Sequence, residues 1–237
     1  MERLDKVIAN MGGASRREVR EMVKQGRVLV NGTAATAADM KVDPAVSHII
    51  VDGVPLHYQA FTYLLLHKPG GVLTATEDRT QQTVLDLLPE EYRRRNLVPV
   101  GRLDKDTEGL LLLTNDGELN HRITSPKYHV DKVYYAEVDG ILEAGDVETF
   151  AAGIALQDFT CLPAQLEILS QHTCYVTVAE GKFHQVKRMF EAIGKPVIEL
   201  HRRQFGPLEL DKALEPGTYR ELTIDELAAL NQAAGRG

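Results

Sequence analysis

Two carboxylates stand two residues apart in Gly101-Arg102-Leu103-Asp104-Lys105-Asp106-Thr107-Glu108-Gly109, directly before the apolar run Leu110 to Leu113. An unbroken apolar run of that kind marks a strand buried on both faces. Asn115-Asp116-Gly117 then turns the chain. The polar cluster 101–109 therefore reads as a loop feeding a central strand, the rigid support on which catalytic groups tend to be held. Asp104 and Asp106 could act on a sugar, since carboxylates on such a loop can reach the separations that glycoside hydrolysis needs. They could equally be ordinary turn carboxylates. No Trp is present to build a sugar-stacking platform.

A second cluster is Glu180-Gly181-Lys182-Phe183-His184-Gln185-Val186-Lys187-Arg188-Met189-Phe190. Val186, Met189, Phe190 and Ile193 fall on one face of a helix, and His184, Lys187, Arg188 and Glu191 on the other. Cations near a helix start oppose its dipole unless something negative meets them; the alternative is a solvated basic face. In a third stretch, Lys132-Val133-Tyr134-Tyr135-Ala136-Glu137-Val138, alternation predicts a strand with one tyrosine on each face.

The elements that must position these groups follow from periodicity and turn residues. Leu4, Val7, Ile8 and Met11 have amphipathic-helix spacing, and Gly12-Gly13 ends that helix. Ser15 with Glu18 reads as a capping box opening a second helix that runs to about Gln25, with Gly26 as its left-handed cap. Arg16, Arg20 and Lys24 recur every four residues along one face, with Arg17 and Arg27 nearby. Strands at 28–30 and 48–51 follow, the first closed by Asn31-Gly32 and the second by Asp52-Gly53. Leu56 to Ala60 is the candidate linker. Beyond it, strands are expected near 61–67, 72–76, 110–114, 132–138, 164–169, 173–179 and 196–201. Helices are expected near 83–88, 116–123, 143–152, 183–193 and 223–233. Strand-rich blocks with occasional helices, and no regular alternation, predict an α+β protein. It would have a small N-terminal module of two helices and a short sheet, and a larger, mainly antiparallel mixed sheet with packed helices.

Composition narrows the class. The chain has 237 residues, 43% hydrophobic and 26% charged, enough for a sizeable core. No apolar run approaches the roughly 18 residues of a membrane span, and Met1-Glu2-Arg3-Leu4-Asp5 lacks the apolar region of a secretory signal. Two cysteines, Cys161 and Cys174, support neither a disulfide framework nor a zinc ribbon. These features fit a cytoplasmic protein without a membrane association. The net charge of -7 excludes a protein that coats nucleic acid indiscriminately, yet residues 1–45 carry eight basic and six acidic residues, a local +2. The chain has no G-x-G-x-x-G, no phosphate loop and no H-x-x-x-H spacing.

Taken together, the motifs resemble those of the pseudouridine synthases. Gly101-Arg102-Leu103-Asp104 with Thr107 and Gly109-Leu110-Leu111 looks like their catalytic-aspartate motif, and Lys68-Pro69-Gly70-Gly71-Val72 like their upstream lysine-proline motif. Glu180 to Met189 resembles their late basic motif in its Rsu form, with Phe183 where tyrosine is common. Residues 1–50 are similar to the S-four-type RNA-binding module. Thr124-Ser125-Pro126-Lys127-Tyr128-His129 and Glu199-Leu200-His201-Arg202 look like the branch acting on 16S ribosomal RNA.

The resemblance implies an S-four-type RNA-binding domain over 1–57 and a catalytic domain over 58–237. It implies isomerisation of one uridine of 16S ribosomal RNA to pseudouridine, with no cofactor and no metal. The partner would be that RNA or a precursor of the small subunit, met by a monomer. Asp104 would be the catalytic carboxylate, either nucleophile or base, and Asp106 a loop residue. Burial drives a carboxylate toward its neutral form, so a cation must stand close to keep it charged; Lys187 takes that role, with Arg188 the second choice. Tyr134 would stack on the uracil. Arg102 would hold the flipped nucleotide's phosphate or fill the space it leaves, and Arg16, Arg17, Arg20 and Lys24 would grip the RNA backbone. Two other readings are the same chemistry on 23S RNA and a ribosome-assembly factor that binds RNA without catalysis.

Overall fold

The computed structural model describes residues 1–11, 14–56 and 58–236. Its contacts divide the chain into two units, Met1–Thr62 with Leu85–Val98, and Tyr63–Val84 with Pro99–Gly237.

In the first unit, α1 spans Leu4–Asn10 and α2 spans Arg16–Lys24. Gly12-Gly13, the expected end of the first helix, lies outside the described residues. The capping box forms as the sequence predicts: Glu18 N donates to Ser15 Oγ at 3.3 Å, and Ser15 N donates to the Glu18 carboxylate at 2.6 Å. Gly26 takes the expected left-handed conformation after α2. Strands β1 (Val28–Val30) and β2 (Thr33–Ala34) form a hairpin whose corner, Asn31 and Gly32, has φ of 52° and 79°. Both values suit the tight turn that Asn-Gly favours. Strands β3 (Ile49–Val51) and β4 (Val54–Pro55) extend the sheet, β3 pairing with β1. Leu4, Val7, Ile8, Val19, Val28 and Ile49 close a small core.

Asp5, inside α1, is fully buried and collects three guanidinium groups, from Arg3 at 2.9 Å, Arg16 at 3.1 Å and Arg20 at 3.8 Å. Hydrogen bonds from Arg3 and then Arg16 hold its carboxyl below the usual range, outweighing the opposing effect of burial.

The second unit contains β5 (Tyr63–Lys68), β6 (Glu108–Thr114), α3 (Gly117–Thr124), β7 (Lys132–Val138) and α4 (Ala144–Ala152). It continues with β8 (Gln165–Ile168), β9 (Thr173–Val178), α5 (Gln185–Ala192), β10 (Val197–Phe205), β11 (Tyr219–Glu221) and α6 (Ile224–Ala233). The sheet runs β8-β9-β7-β10-β6-β5-β11; β10 and β6 are parallel and the other neighbours along that path antiparallel. This is the mainly antiparallel mixed sheet that the strand-rich pattern implies.

Leu110 to Leu113 are completely buried, as their unbroken apolar character requires. Leu110 and Leu112 share a core with Leu119 and Ile123 of α3 and Leu230 of α6. A second core joins Phe150 of α4 and Met189 and Phe190 of α5 to Ala136, Val176 and Leu200 of the sheet. Cys174 lies in it, and burial pushes its thiol up to about 12. Among the described residues no helix is long and apolar enough to cross a membrane.

Two expected elements are absent. Residues 72–76 form no strand; Leu73 makes one isolated bridge to Thr83, and Thr74 donates its hydroxyl to the carbonyl of Leu103 at 2.7 Å. The segment is a strap, its polar groups committed to a loop and not to a ladder. Residues 83–88 form turns instead of a helix. The stretch is too short to offset the cost of helix nucleation, and Pro89 disfavours helical geometry just before it.

Candidate active site

The loop 101–107 is held from beneath. Lys68, the last residue of β5, is fully buried, and its ammonium donates to the carbonyls of Pro69 (3.0 Å), Lys105 (3.0 Å) and Thr107 (2.8 Å). Burial lowers its pKa to about 8, with Glu108, Asp106 and Asp104 opposing the shift. The side chain thus remains mainly protonated at neutral pH, and three carbonyls match its three donors. Gly71 N donates to Lys105 O at 2.8 Å, and Thr107 N to Asp104 O at 3.1 Å, which closes the turn carrying Asp104.

The facing wall is the start of α5. Glu180, nearly buried, accepts from Leu162 N and from Gln185 Nε2, both at 2.8 Å, while Gln185 Oε1 accepts from Lys182 N at 3.0 Å. This network sets the turn that delivers His184 in a left-handed conformation, with φ of 49°. The helix begins at Gln185, two residues later than periodicity alone predicts.

Between these walls, His184 Nε2 lies 3.3 Å from Asp104 Oδ1 and Lys187 Nζ lies 3.9 Å from Asp104 Oδ2. Each carboxylate oxygen therefore faces a different nitrogen. Lys187 is shared: it also donates to Asp106 Oδ1 at 2.5 Å, a bond that holds Asp106 below the usual carboxylate range. The cations at the helix start do meet negative groups, as the dipole argument requires.

Of the residues singled out by sequence, Asp104, Lys187, Tyr134 and Arg102 line one cavity, together with His184 and Thr107. Tyr134 projects from β7 opposite Val176 and Arg202; Tyr135 packs against Tyr175 and His201. Arg102 is exposed. Arg188 is directed elsewhere, pairing with Asp158 and lying 5.1 Å over the Phe159 ring. In the first unit, Arg16 and Arg20 share Asp5, Lys24 pairs with Glu21 at 2.8 Å, and Arg17 lines a shallow concavity with Glu18 and Met22.

Sequence reasoning placed His184 on a polar helix face without linking it to Asp104. It also read Asp106 as a bare loop residue. No local signal could have revealed either contact, because 80 residues separate His184 from Asp104 and 81 separate Lys187 from Asp106.

The Asp106–Lys187 pair has an exposed carboxylate, and such pairs contribute about 0.2–1 kcal/mol. Asp106→Asn should accordingly keep turnover within about fivefold of the parent. A larger loss in single-turnover assays would make Asp106 a working member of the site, as a two-carboxylate hydrolase would need.

Comparisons with known proteins place the chain among relatives. Residues 62–192 match the family described as RNA pseudouridylate synthase, and residues 2–46 match the S4 domain. The chain is 46% identical to the Bacillus subtilis protein named Uncharacterized RNA pseudouridine synthase YtzG, over 97% of this chain and 98% of that one. It is 41% identical to ribosomal small subunit pseudouridine synthase A of Vibrio cholerae, with 96% and 99% covered. It is also 41% identical to ribosomal large subunit pseudouridine synthase B of Bacillus subtilis, with 100% and 98% covered. A crystal structure of a pseudouridylate synthase, 36% identical, superposes with a TM-score of 0.69 over 97% of this chain and 100% of that one. The chain is thus a member of the RNA pseudouridylate synthase family that carries an S4 domain at its N-terminal end.

Proposed function

We propose that this chain converts one uridine of 16S ribosomal RNA to pseudouridine, with Asp104 as the catalytic carboxylate. The observation that carries the reading is the placement of Asp104 between His184 and Lys187 in a cavity shared with Tyr134. Isomerisation breaks the bond between the base nitrogen and the sugar, turns the base, and joins a base carbon to the same sugar atom. The base carbon gives up its proton and the nitrogen gains one, so neither redox change nor group donor is needed. Lys187 sets its ammonium 3.9 Å from one Asp104 oxygen, and Tyr134 packs on the uracil and retains it while it turns. Arg102, exposed at the rim, holds the flipped nucleotide's phosphate or fills the vacated space. Extruding the base costs a few kcal/mol, least in loops or strained RNA.

In this reading residues 1–57 are the RNA-binding domain and 58–237 the catalytic domain. Arg16, Arg17, Arg20 and Lys24 contact phosphates and add affinity without reading sequence. Arg188, bound to Asp158, is the second choice for a cation at the site. The protein acts in the cytoplasm as a monomer, on 16S RNA or a precursor of the small subunit.

Identity alone does not separate the two targets, because the small-subunit and large-subunit relatives are both 41% identical. The residues at 124–129 and 199–202 favour 16S. Carbodiimide treatment and primer extension on both RNAs, from cells with and without the protein, decide the matter. The expected result is one stop lost from 16S when the protein is absent. A stop lost only from 23S would transfer the same chemistry to the large subunit; no change in either RNA would end the proposal.

A further inference from the structure

Phe183 is 74% exposed at the start of the turn that delivers His184. Its ring lies nearly parallel to the His184 imidazole, with centroids 3.8 Å apart and planes inclined by 18°. One face of Phe183 is thus packed and the other left open. The support is firm: His184 is held at its edge by Asp104, and its left-handed backbone is set by the Glu180–Gln185 network. A left-handed non-glycine residue is strained and persists only where its surroundings enforce it.

Two cations, Arg102 and Lys182, line the same cavity as His184 and are themselves exposed. Neither side chain has a hydrogen-bond or ion-pair partner among the described residues; Lys182 lies 5.7 Å over the Phe159 ring. A flat apolar face with uncommitted cations nearby suits a polyanion that carries aromatic bases, and it suits an apolar protein surface poorly.

We infer that the Phe183–His184 stack is a nucleobase platform, which takes the base of the RNA residue next to the target uridine while Arg102 and Lys182 meet the adjoining phosphates. This rests on the function proposed above and adds a second base contact to it. The inference ties recognition to catalysis, because the ring beneath the platform is the one that touches Asp104.

Removing a stacking aromatic weakens single-strand binding by roughly tenfold to a hundredfold per base. Phe183→Ala should therefore raise KM for unmodified 16S transcript by about that factor and change kcat far less, with the unfolding midpoint unmoved. Phe183→Tyr and Phe183→Trp keep a flat face and should bring KM back to within about threefold of the parent. The chain contains no tryptophan, so Phe183→Trp also installs a single tryptophan there, which can be excited apart from the eight tyrosines. Its emission should be quenched by the transcript over the concentrations that saturate turnover. A parental KM for Phe183→Ala, or unchanged emission at saturating RNA, overturns the platform while leaving the parent enzyme active. If the parent converts no uridine in either ribosomal RNA, the functional reading itself fails, and the platform with it.

Discussion

Asp104→Asn is expected to bind ribosomal RNA within about twofold of the parent affinity and to lose at least a thousandfold in turnover. The substitution keeps the shape of the side chain, so the turn closed by Thr107 N and the clamp from Lys68 should survive. What disappears is the negative charge. An amide is neither a usable nucleophile nor a base at neutral pH, and loss of a group acting in either way costs on the order of 10²–10⁴ in rate, or more. Among the described residues, Lys187 then keeps Asp106 as its one anionic partner. Release of tritium from RNA labelled at uridine C5 measures the turnover directly. Activity within tenfold of the parent would remove Asp104 from the chemistry.

Gly109→Ala should be among the most damaging single substitutions for stability. Gly109 sits where β6 and β10 meet in parallel, opposite Arg202, with φ of 105°. A Cβ there would lie 2.3 Å from Arg202 O and 2.6 Å from Arg202 N, and backbone atoms inside a sheet cannot step aside. Overpacking and backbone strain together predict a loss on the order of 3–5 kcal/mol. Gly32→Ala is the control, since its φ of 79° carries similar strain but nothing stands within 4 Å of the added atom. It should cost only about 1–2 kcal/mol. Urea midpoints of the two variants test the difference; equal shifts would mean that the strand contact at Arg202 adjusts freely. Turnover should fall with stability in Gly109→Ala, because this contact anchors the strand that follows the Asp104 loop.

Much of this could be read from the chain before any coordinates. The Leu-rich strand, the Lys132–Val138 strand and the capping box at Ser15 are local patterns, and local patterns survive folding when the core they imply is available. The loop that carries Asp104 was legible for the same reason, as a polar stretch running into a buried strand. Residues 72–76 misled because β-prone residues describe an extended chain without saying whether its polar groups pair with a neighbour or with a loop. Residues 83–88 misled because an apolar run before a proline has helical composition but not enough length. The cluster on Asp5 joins Arg3, two residues away, to Arg16 and Arg20 of α2, which only the folded unit brings to it. The link from His184 to Asp104 depends on two distant segments packing together and leaves no trace in spacing.

The buried ammonium of Lys68 has a mechanical consequence. With its three protons committed to the carbonyls of Pro69, Lys105 and Thr107, the turn that carries Asp104 has little freedom to recoil from a badly fitting ligand. On the proposed reaction, adaptation at first encounter must come from the nucleic acid. Target choice then depends on which stretch of RNA unstacks at least expense as well as on which letters it spells.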